Sequence, residues 1–154
     1  SGYSSKSAQS GYSSKSAQSG DYSQSAQSGY SSQSAQSGDG SKSAQSGDSN
    51  QSAQSGYSSK SAQSGYGSKS AQSGYSSKSA QSGDGSKITI TGKNGVAASI
   101  GRNCKIKGIK GTWITLAEYS NNGICICVKS AQIDGDALKE NVFYILKNKE
   151  FTEE

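Results

Sequence analysis

The chain has no histidine, no proline and no methionine, and its first 87 residues contain no Ile, Leu, Val, Phe, Trp or Cys. Each absence removes a class of fold or function. Without histidine, a His-assisted nucleophile cannot be assembled and the commonest nitrogen ligand for zinc is missing. No apolar run approaches the roughly 18 residues that a bilayer-spanning helix requires, so no membrane partner is expected. Without methionine, the chain is expected to be a processed form or part of something longer, which leaves open whether a signal or further repeats preceded Ser1. Hydrophobic residues make up only 29% of the 154, too few for a conventional globular core of that length.

Charge of either sign is also thinly spread. The formal net charge is +5, but residues 1–87 carry seven Lys against four Asp, and the remainder carries nine basic against seven acidic residues. There is no dense basic block of the kind a dedicated nucleic-acid binder shows, so nucleic acid is a weakly supported partner. Cys104, Cys125 and Cys127 are an odd number without a disulfide framework, which points to a reducing compartment.

What the chain does contain is a repeat. From Ser1 the units read S-G-[Y/D]-x-[S/N]-[K/Q]-S-A-Q in nine complete copies, and a tenth begins at Ser82 before changing to Ile88-Thr89-Ile90. The glycine stays in register to Gly101, so twelve glycines recur at a spacing of nine. Such strict phasing argues for order rather than for a flexible Ser/Gly-rich coil. The recurring glycine suggests a turn that needs positive φ, and S-A-Q is the length of a short strand. An odd period cannot continue as one straight strand, because side chains would change face at every repeat. Two units therefore make one flattened coil of 18 residues, and coils stack at about 4.8 Å.

This reading predicts an all-β chain: a parallel β-solenoid with two nonapeptides per 18-residue coil over residues 1–108, closed by a small antiparallel β C-terminal cap over 109–154. Alanine at position 8 of each unit, from Ala8 to Ala80, is expected to point inward between two thin sheets, with serines forming ladders beside it. Position 3 then yields tyrosine rows that include Tyr3, Tyr57 and Tyr75 on one side, and Tyr12, Tyr30 and Tyr66 on the other. Position 6 yields lysine rows that include Lys42, Lys60 and Lys78 opposite Lys69. These rows, with Trp113 and Tyr119, are the candidate partner-binding residues.

The last third reads as ordinary β sequence. TWITLAEY (112–119) and ICICV (124–128) alternate on either side of Ser120-Asn121-Asn122-Gly123, which predicts a hairpin. Asp134-Gly135-Asp136 marks a further turn, VFYIL (142–146) a strand, and Lys147 to Glu150 another turn. Ile114, Leu116, Ile124, Ile126, Val128, Phe143 and Ile145 are the expected core. Cys125 and Cys127 are expected to share one strand face, with the thiols serving as small apolar side chains. Trp113 and Tyr119 are expected on the face opposite Ile114 and Leu116.

GKNGVAASIGRNCKIKG, followed by GTWITLAEYSNNG and IDGDALKENVFYILKNKEF, resembles an uncharacterised tail domain that closes short Gly/Ser/Ala repeat arrays in bacterial and phage proteins. The resemblance covers residues 88–154 through a G-x-W-x-x-L-x-E hairpin and a terminal Y-x-L-K-N-x-E-F, and it implies a phage or mobile-element origin with no catalytic residues to carry over. Gly65-Tyr66-Gly67-Ser68 is similar to the GYGS phrase of bacterial ice-nucleation repeats. Those have an eight-residue half-repeat and a T-x-T row; this chain has a period of nine and no Thr before Thr89.

The calcium-binding β-roll pattern requires several glycines and an aspartate per unit, whereas Asp occurs here in four of ten units. No metal, no cofactor and no catalytic residue is therefore expected. The expected function is that of a non-catalytic binding or scaffold protein engaging a protein partner, with inhibition of a host system as one use. An ice-binding solenoid and a structural element of a phage or cell-surface fibre are the alternatives. Free cysteines favour the host cytoplasm, with the virion or cell surface as the alternative, and exposed Tyr rows with open first-coil edges leave a homodimer open.

Overall fold

A computed structural model describes residues 3–154; Ser1 and the first recurring glycine, Gly2, lie outside the described residues. Each nonapeptide supplies one strand. The strands are β1 (Lys6–Ser10), β2 (Lys15–Gln18), β3 (Gln24–Ser28), β4 (Gln33–Gln36), β5 (Lys42–Ser46), β6 (Gln51–Gln54), β7 (Lys60–Ser64), β8 (Lys69–Gln72), β9 (Lys78–Gln81), β10 (Lys87–Ile90), β11 (Val96–Ser99) and β12 (Lys105–Lys107). Odd strands stack in parallel in one sheet and even strands in the other. In both sheets residue i pairs with i+18, as Ala8 does with Ala26 and Ala17 with Ala35. The molecule is therefore a β-solenoid of six coils with two nonapeptides in each.

The hydrogen-bond ladders continue through the corners. The N–H of the fourth residue of one unit reaches the carbonyl of the third residue one coil later, as in Tyr22 to Asp39 and Ser58 to Tyr75. That fourth position holds the left-handed residue of each turn, with φ of 53–67° from Tyr22 to Asn103. Ser, Asn, Tyr and Gly all occupy it. The recurring glycine at position 2 has a different reason. A Cβ built on Gly38, Gly56, Gly74, Gly83, Gly92 or Gly101 would lie only 1.8–2.4 Å from the carbonyl oxygen of the glycine one coil earlier, and none of these six has positive φ. Glycine is required at these six because two backbones touch; among the described recurring glycines, the positive φ expected from the sequence is found at Gly11, Gly29, Gly47 and Gly65 only.

The strands also face the other way from the expectation. Within each strand the residues at positions 6, 8 and 10 are exposed and those at 7 and 9 are buried, so alanine lies on the outside and Ser and Gln form the interior. Size and hydrogen bonding decide this, not hydropathy. Serine is small enough to let the two sheets close, and glutamine can satisfy itself along the stack. Gln45 Nε2 donates to Gln27 Oε1 at 2.7 Å and to the Gln51 carbonyl at 2.9 Å, and Gln45 Oε1 accepts from Gln63 Nε2 at 2.6 Å. The other glutamines from Gln27 to Gln81 continue the pattern in two ladders, one along each sheet. The second bond of each amide crosses the corner to the first residue of the next strand.

The seventh position behaves differently. The hydroxyls of Ser25, Ser34, Ser43, Ser52, Ser61, Ser70 and Ser79 are buried without a hydrogen-bond partner. Removing an unpaired buried hydroxyl removes its desolvation penalty at almost no loss of volume. Ser61→Ala is therefore expected to be neutral or to stabilise the fold by up to about 1 kcal/mol, which urea unfolding measures. A loss of comparable size would show that the hydroxyl is paired.

After Gln72 and Gln81 the ladders stop, because Ile90 and Ser99 take the next places, and the interior becomes apolar. Ile88, Ile90, Ala97, Cys104, Ile106, Ile114, Leu116, Ile133, Leu138, Tyr144 and Leu146 form this core. Four further strands enclose it: β13 (Trp113–Tyr119), β14 (Cys125–Gln132), β15 (Phe143–Lys147) and β16 (Glu150–Glu153). β13 adds to β11 in parallel and β14 follows antiparallel, while β15 adds antiparallel to β12 and β16 follows it. The C-terminal segment thus extends both sheets of the solenoid instead of folding as a sheet of its own. Glu118 ties the two extensions together by accepting from the Asn148 and Lys149 N–H groups, each at 2.7 Å.

Three expected core residues are outside. Ile114 and Leu116 are buried, but Ile124, Ile126 and Val128 are exposed. In β15 the buried residues are Tyr144 and Leu146, with Phe143 and Ile145 half-buried on the other face. Alternation was present in both strands, and the phase was set by which face lies over the coil below.

Candidate protein-docking surface

The outward rows follow from the i to i+18 register. Lys42, Lys60 and Lys78 sit on successive rungs of the odd-strand sheet. Lys69 sits on the even-strand sheet between Gln51 and Lys87. Beside the lysines run exposed Ala and Ser rows, with a shallow groove bordered by Ala26, Ala44 and Ala62 and by Ser28, Ser46 and Ser64.

The tyrosines lie along the corners. Tyr12 stacks on Tyr30 and Tyr57 on Tyr75, each pair with ring centroids 5.2 Å apart, while Tyr3 tilts against Tyr22 at 5.7 Å. Tyr66 stands exposed between aspartates at the same position in the coils on either side. Aspartates at this position have a structural role in both corner rows: Asp39 and Asp48 accept the N–H of Tyr57 and Tyr66, each at 2.8 Å. The repeat rows therefore divide among two corners and two faces, and the structure does not gather them into one site.

Asp84 carries the same role furthest. It accepts the Arg102 N–H at 2.7 Å and pairs with the Arg102 Nε at 2.9 Å. The backbone bond, with the guanidinium beside it, holds the Asp84 carboxyl below its ordinary range. A depressed carboxylate stabilises the fold above the unfolded pKa and loses that contribution as pH falls through the folded one. Asp84→Asn is thus expected to lower the melting temperature at pH 7, and the gap to the parent should close as the pH falls below about 4. A gap unchanged with pH would mean that the carboxylate does not act through its charge.

The C-terminal end is where apolar side chains reach the surface. On the odd-strand sheet, Val96 and Trp113 are paired, and Trp113 is 50% exposed. Ile100 lies beyond Ser99, and Val128 of β14 faces Ala117 and is 57% exposed. Tyr119 lies half-buried across this face, its hydroxyl donating to the Ile100 carbonyl at 2.6 Å. Ile126 follows along β14 toward the hairpin tip, where Ile124 is exposed just ahead of the strand. Trp113 and Tyr119 do share the face opposite Ile114 and Leu116, as the alternation predicts.

The even-strand sheet ends differently. Its outer face carries Phe143 with the ammonium groups of Lys87, Lys107 and Lys105 at 4.3, 4.8 and 5.7 Å from the ring centroid. One end of the rod therefore has a basic face and an apolar face.

Of the cysteines, Cys104 is buried in the core as expected, but Cys125 is exposed. A bulge where Glu118 pairs with Cys127 and Tyr119 with Cys125 places the two thiols on different faces, so the expected shared face does not form. Among the described residues no group of three or more His, Cys, Asp or Glu side chains comes together.

Val96, Ile100, Ile126 and Val128 are the surface residues that sequence reasoning missed. A signal for two of them was present. Val96 and Ile100 occupy positions that hold Lys or Gln and Ser in the repeats, so they are apolar replacements at solvent-facing places.

The fold makes the chain a two-sided parallel β-solenoid. Compared with family models, with curated proteins and with solved structures, the chain matches none.

Proposed function

We propose that the chain is a non-catalytic scaffold whose rod carries a protein-docking surface at its C-terminal end. The observation that carries this reading is the gathering of exposed Val96, Ile100, Trp113, Ile126 and Val128 at the C-terminal end of one face of an otherwise polar molecule. Exposed apolar side chains grouped within a polar rim mark interaction sites. A half-exposed Trp is a typical anchor of such contacts. The repeats act as a stiff spacer, and their Lys and Tyr rows border the patch without being its core.

The test is capture of partners from a bacterial lysate by the intact chain and by Ile126→Lys, Lys60→Ala and Tyr57→Ala variants. A specific protein retained by the parent and by the two repeat variants, and lost with Ile126→Lys, supports the reading. Binding lost with Lys60→Ala or Tyr57→Ala instead would move the site to the repeat rows.

One observation favours a second reading, an ice-binding face. In the repeat strands Ala and Ser project outward beside a row of Lys or Gln, so each face is a regular array with about 4.8 Å between strands and about 6.6 Å along them. Thr89 and Thr91 extend that array on the even-strand sheet. Thermal hysteresis in a nanolitre osmometer decides it: a measurable hysteresis abolished by Ala53→Lys supports ice binding, and none at millimolar protein rejects it.

A further inference from the structure

We propose that the occupant of the apolar face is a second copy of this chain, packed with the two rods side by side and parallel. The inference rests on the docking reading above and names the partner.

The first argument is shape. The outer face of the odd-strand sheet is flat over its repeats, with rows of Ala and Ser beside one margin of Lys and Gln, and the surface that best complements a flat sheet is another flat sheet. The second is area. Eight strands at about 4.8 Å by five residues at about 3.3 Å give a face of roughly 600 Å². Two such faces bury roughly 1,200 Å² in total, the lower edge of the range for specific stable interfaces. A reversible, concentration-dependent dimer is the expected consequence.

The third argument selects the orientation. Across the face, one margin runs Lys42, Lys60, Lys78, Val96 and Trp113, and the other runs Ser46, Ser64, Ser82 and Ile100, then Ala117 with Val128. A self-complementary contact is built on a two-fold axis. With that axis parallel to the rods, each margin lies over the opposite margin of its partner. Trp113 and Val96 then cover Ile100 and Val128, apolar on apolar, and the lysines lie over serines. With the axis across the rods, lysine would meet lysine and the apolar end would meet the polar repeats. Like charges directly opposite one another oppose contact, so the parallel arrangement is selected. Ala26, Ala44 and Ala80, on the central row, would each face its own counterpart.

Sedimentation velocity over a wide concentration range, with crosslinking by a short bismaleimide in a Cys125→Ser background, tests the proposal. The parent should pass from monomer to dimer. Val128→Lys and Ile100→Lys should each weaken the dimer at least tenfold with unchanged far-UV circular dichroism, and Thr89→Lys on the opposite sheet should not. Ala26→Cys and Ala44→Cys should each crosslink to a dimer, whereas the crossed arrangement would crosslink only near the middle of the face, at Ala62→Cys or Ala80→Cys. A chain that stays monomeric at every concentration overturns the dimer. So do crosslinks confined to Ala62→Cys and Ala80→Cys. If the monomeric chain still captures a lysate protein in an Ile126-dependent way, the docking surface stands and only its proposed occupant falls. Loss of both outcomes removes the docking reading as well.

Discussion

Adding a single methyl group at Gly56 is expected to break the rod. A Cβ there would lie 1.9 Å from the Gly38 carbonyl oxygen and 2.3 Å from its carbon, both backbone atoms of the adjacent coil. No rotamer relieves a clash with backbone, so the coils must separate locally and lose ladder bonds on both sides of the corner. Overpacking typically costs 1–3 kcal/mol where side chains can yield, and this obstruction cannot, so about 3 kcal/mol or more is expected. Because each coil contacts only its neighbours, a weak rung also divides the stack into units that unfold separately. Gly67→Ala is the matched control. Its nearest neighbour would be the Ser49 hydroxyl at 3.9 Å, and its cost is confined to φ of +66°, worth roughly 1–2 kcal/mol. Thermal or urea unfolding of the two variants compares them directly. Equal losses would mean that φ, not the approach of two coils, is what glycine serves.

The second large effect is expected at Gln45. Gln45→Ala leaves the buried Gln27 Oε1 without its donor, removes one acceptor from Gln63 Nε2 and frees the Gln51 carbonyl. At about 1–3 kcal/mol for each buried group left unpaired, with the void added, a loss of about 3–5 kcal/mol follows. That is a large fraction of the 5–15 kcal/mol typical of a whole domain. Gln45→Glu keeps the shape, loses the donor and adds a buried charge, so it should cost at least as much. Gln33→Ala, on the exposed face of the neighbouring sheet, should cost almost nothing. If the Gln45 and Gln33 variants unfold at the same denaturant concentration, the ladder contributes nothing.

The repeat length, the pairing of units into coils and the two-sheet architecture were all legible in the sequence, because a period of nine leaves few ways to keep strands in register. The direction of the side chains was not read correctly, although the clue was available. Position 6 carries lysine in several units, and position 8 shares its strand face, so alanine had to be outside with it. Hydropathy favoured burying alanine, whereas the structure buries glutamine because its amide can both donate and accept along the stack. That preference belongs to the array and is invisible in one unit. In the hairpin, alternation made Ile124, Ile126 and Val128 look like core, because an apolar strand face reads the same whether a coil or a partner lies over it. The two stretches that were assigned correctly, Ile114 with Leu116 and the turn at Ser120 to Gly123, are fixed by local pattern. The exposed apolar face is legible only after the register shows that Val96 and Ile100 stand where the repeats place lysine or glutamine and serine.

The claim on which the rest depends is that glutamine lines a sealed interior and leaves only the outer rows to act. Hydrogen exchange of the side-chain amides, followed by NMR, tests it most directly. Gln27, Gln36, Gln45, Gln54, Gln63, Gln72 and Gln81 are buried and hydrogen-bonded. Seven carboxamide signals should therefore exchange slowly, while those of the exposed Gln24, Gln33 and Gln51 exchange at once. Fast exchange of all glutamine amides in the folded protein would contradict the account, since it would place the ladders in solvent and the alanines inside.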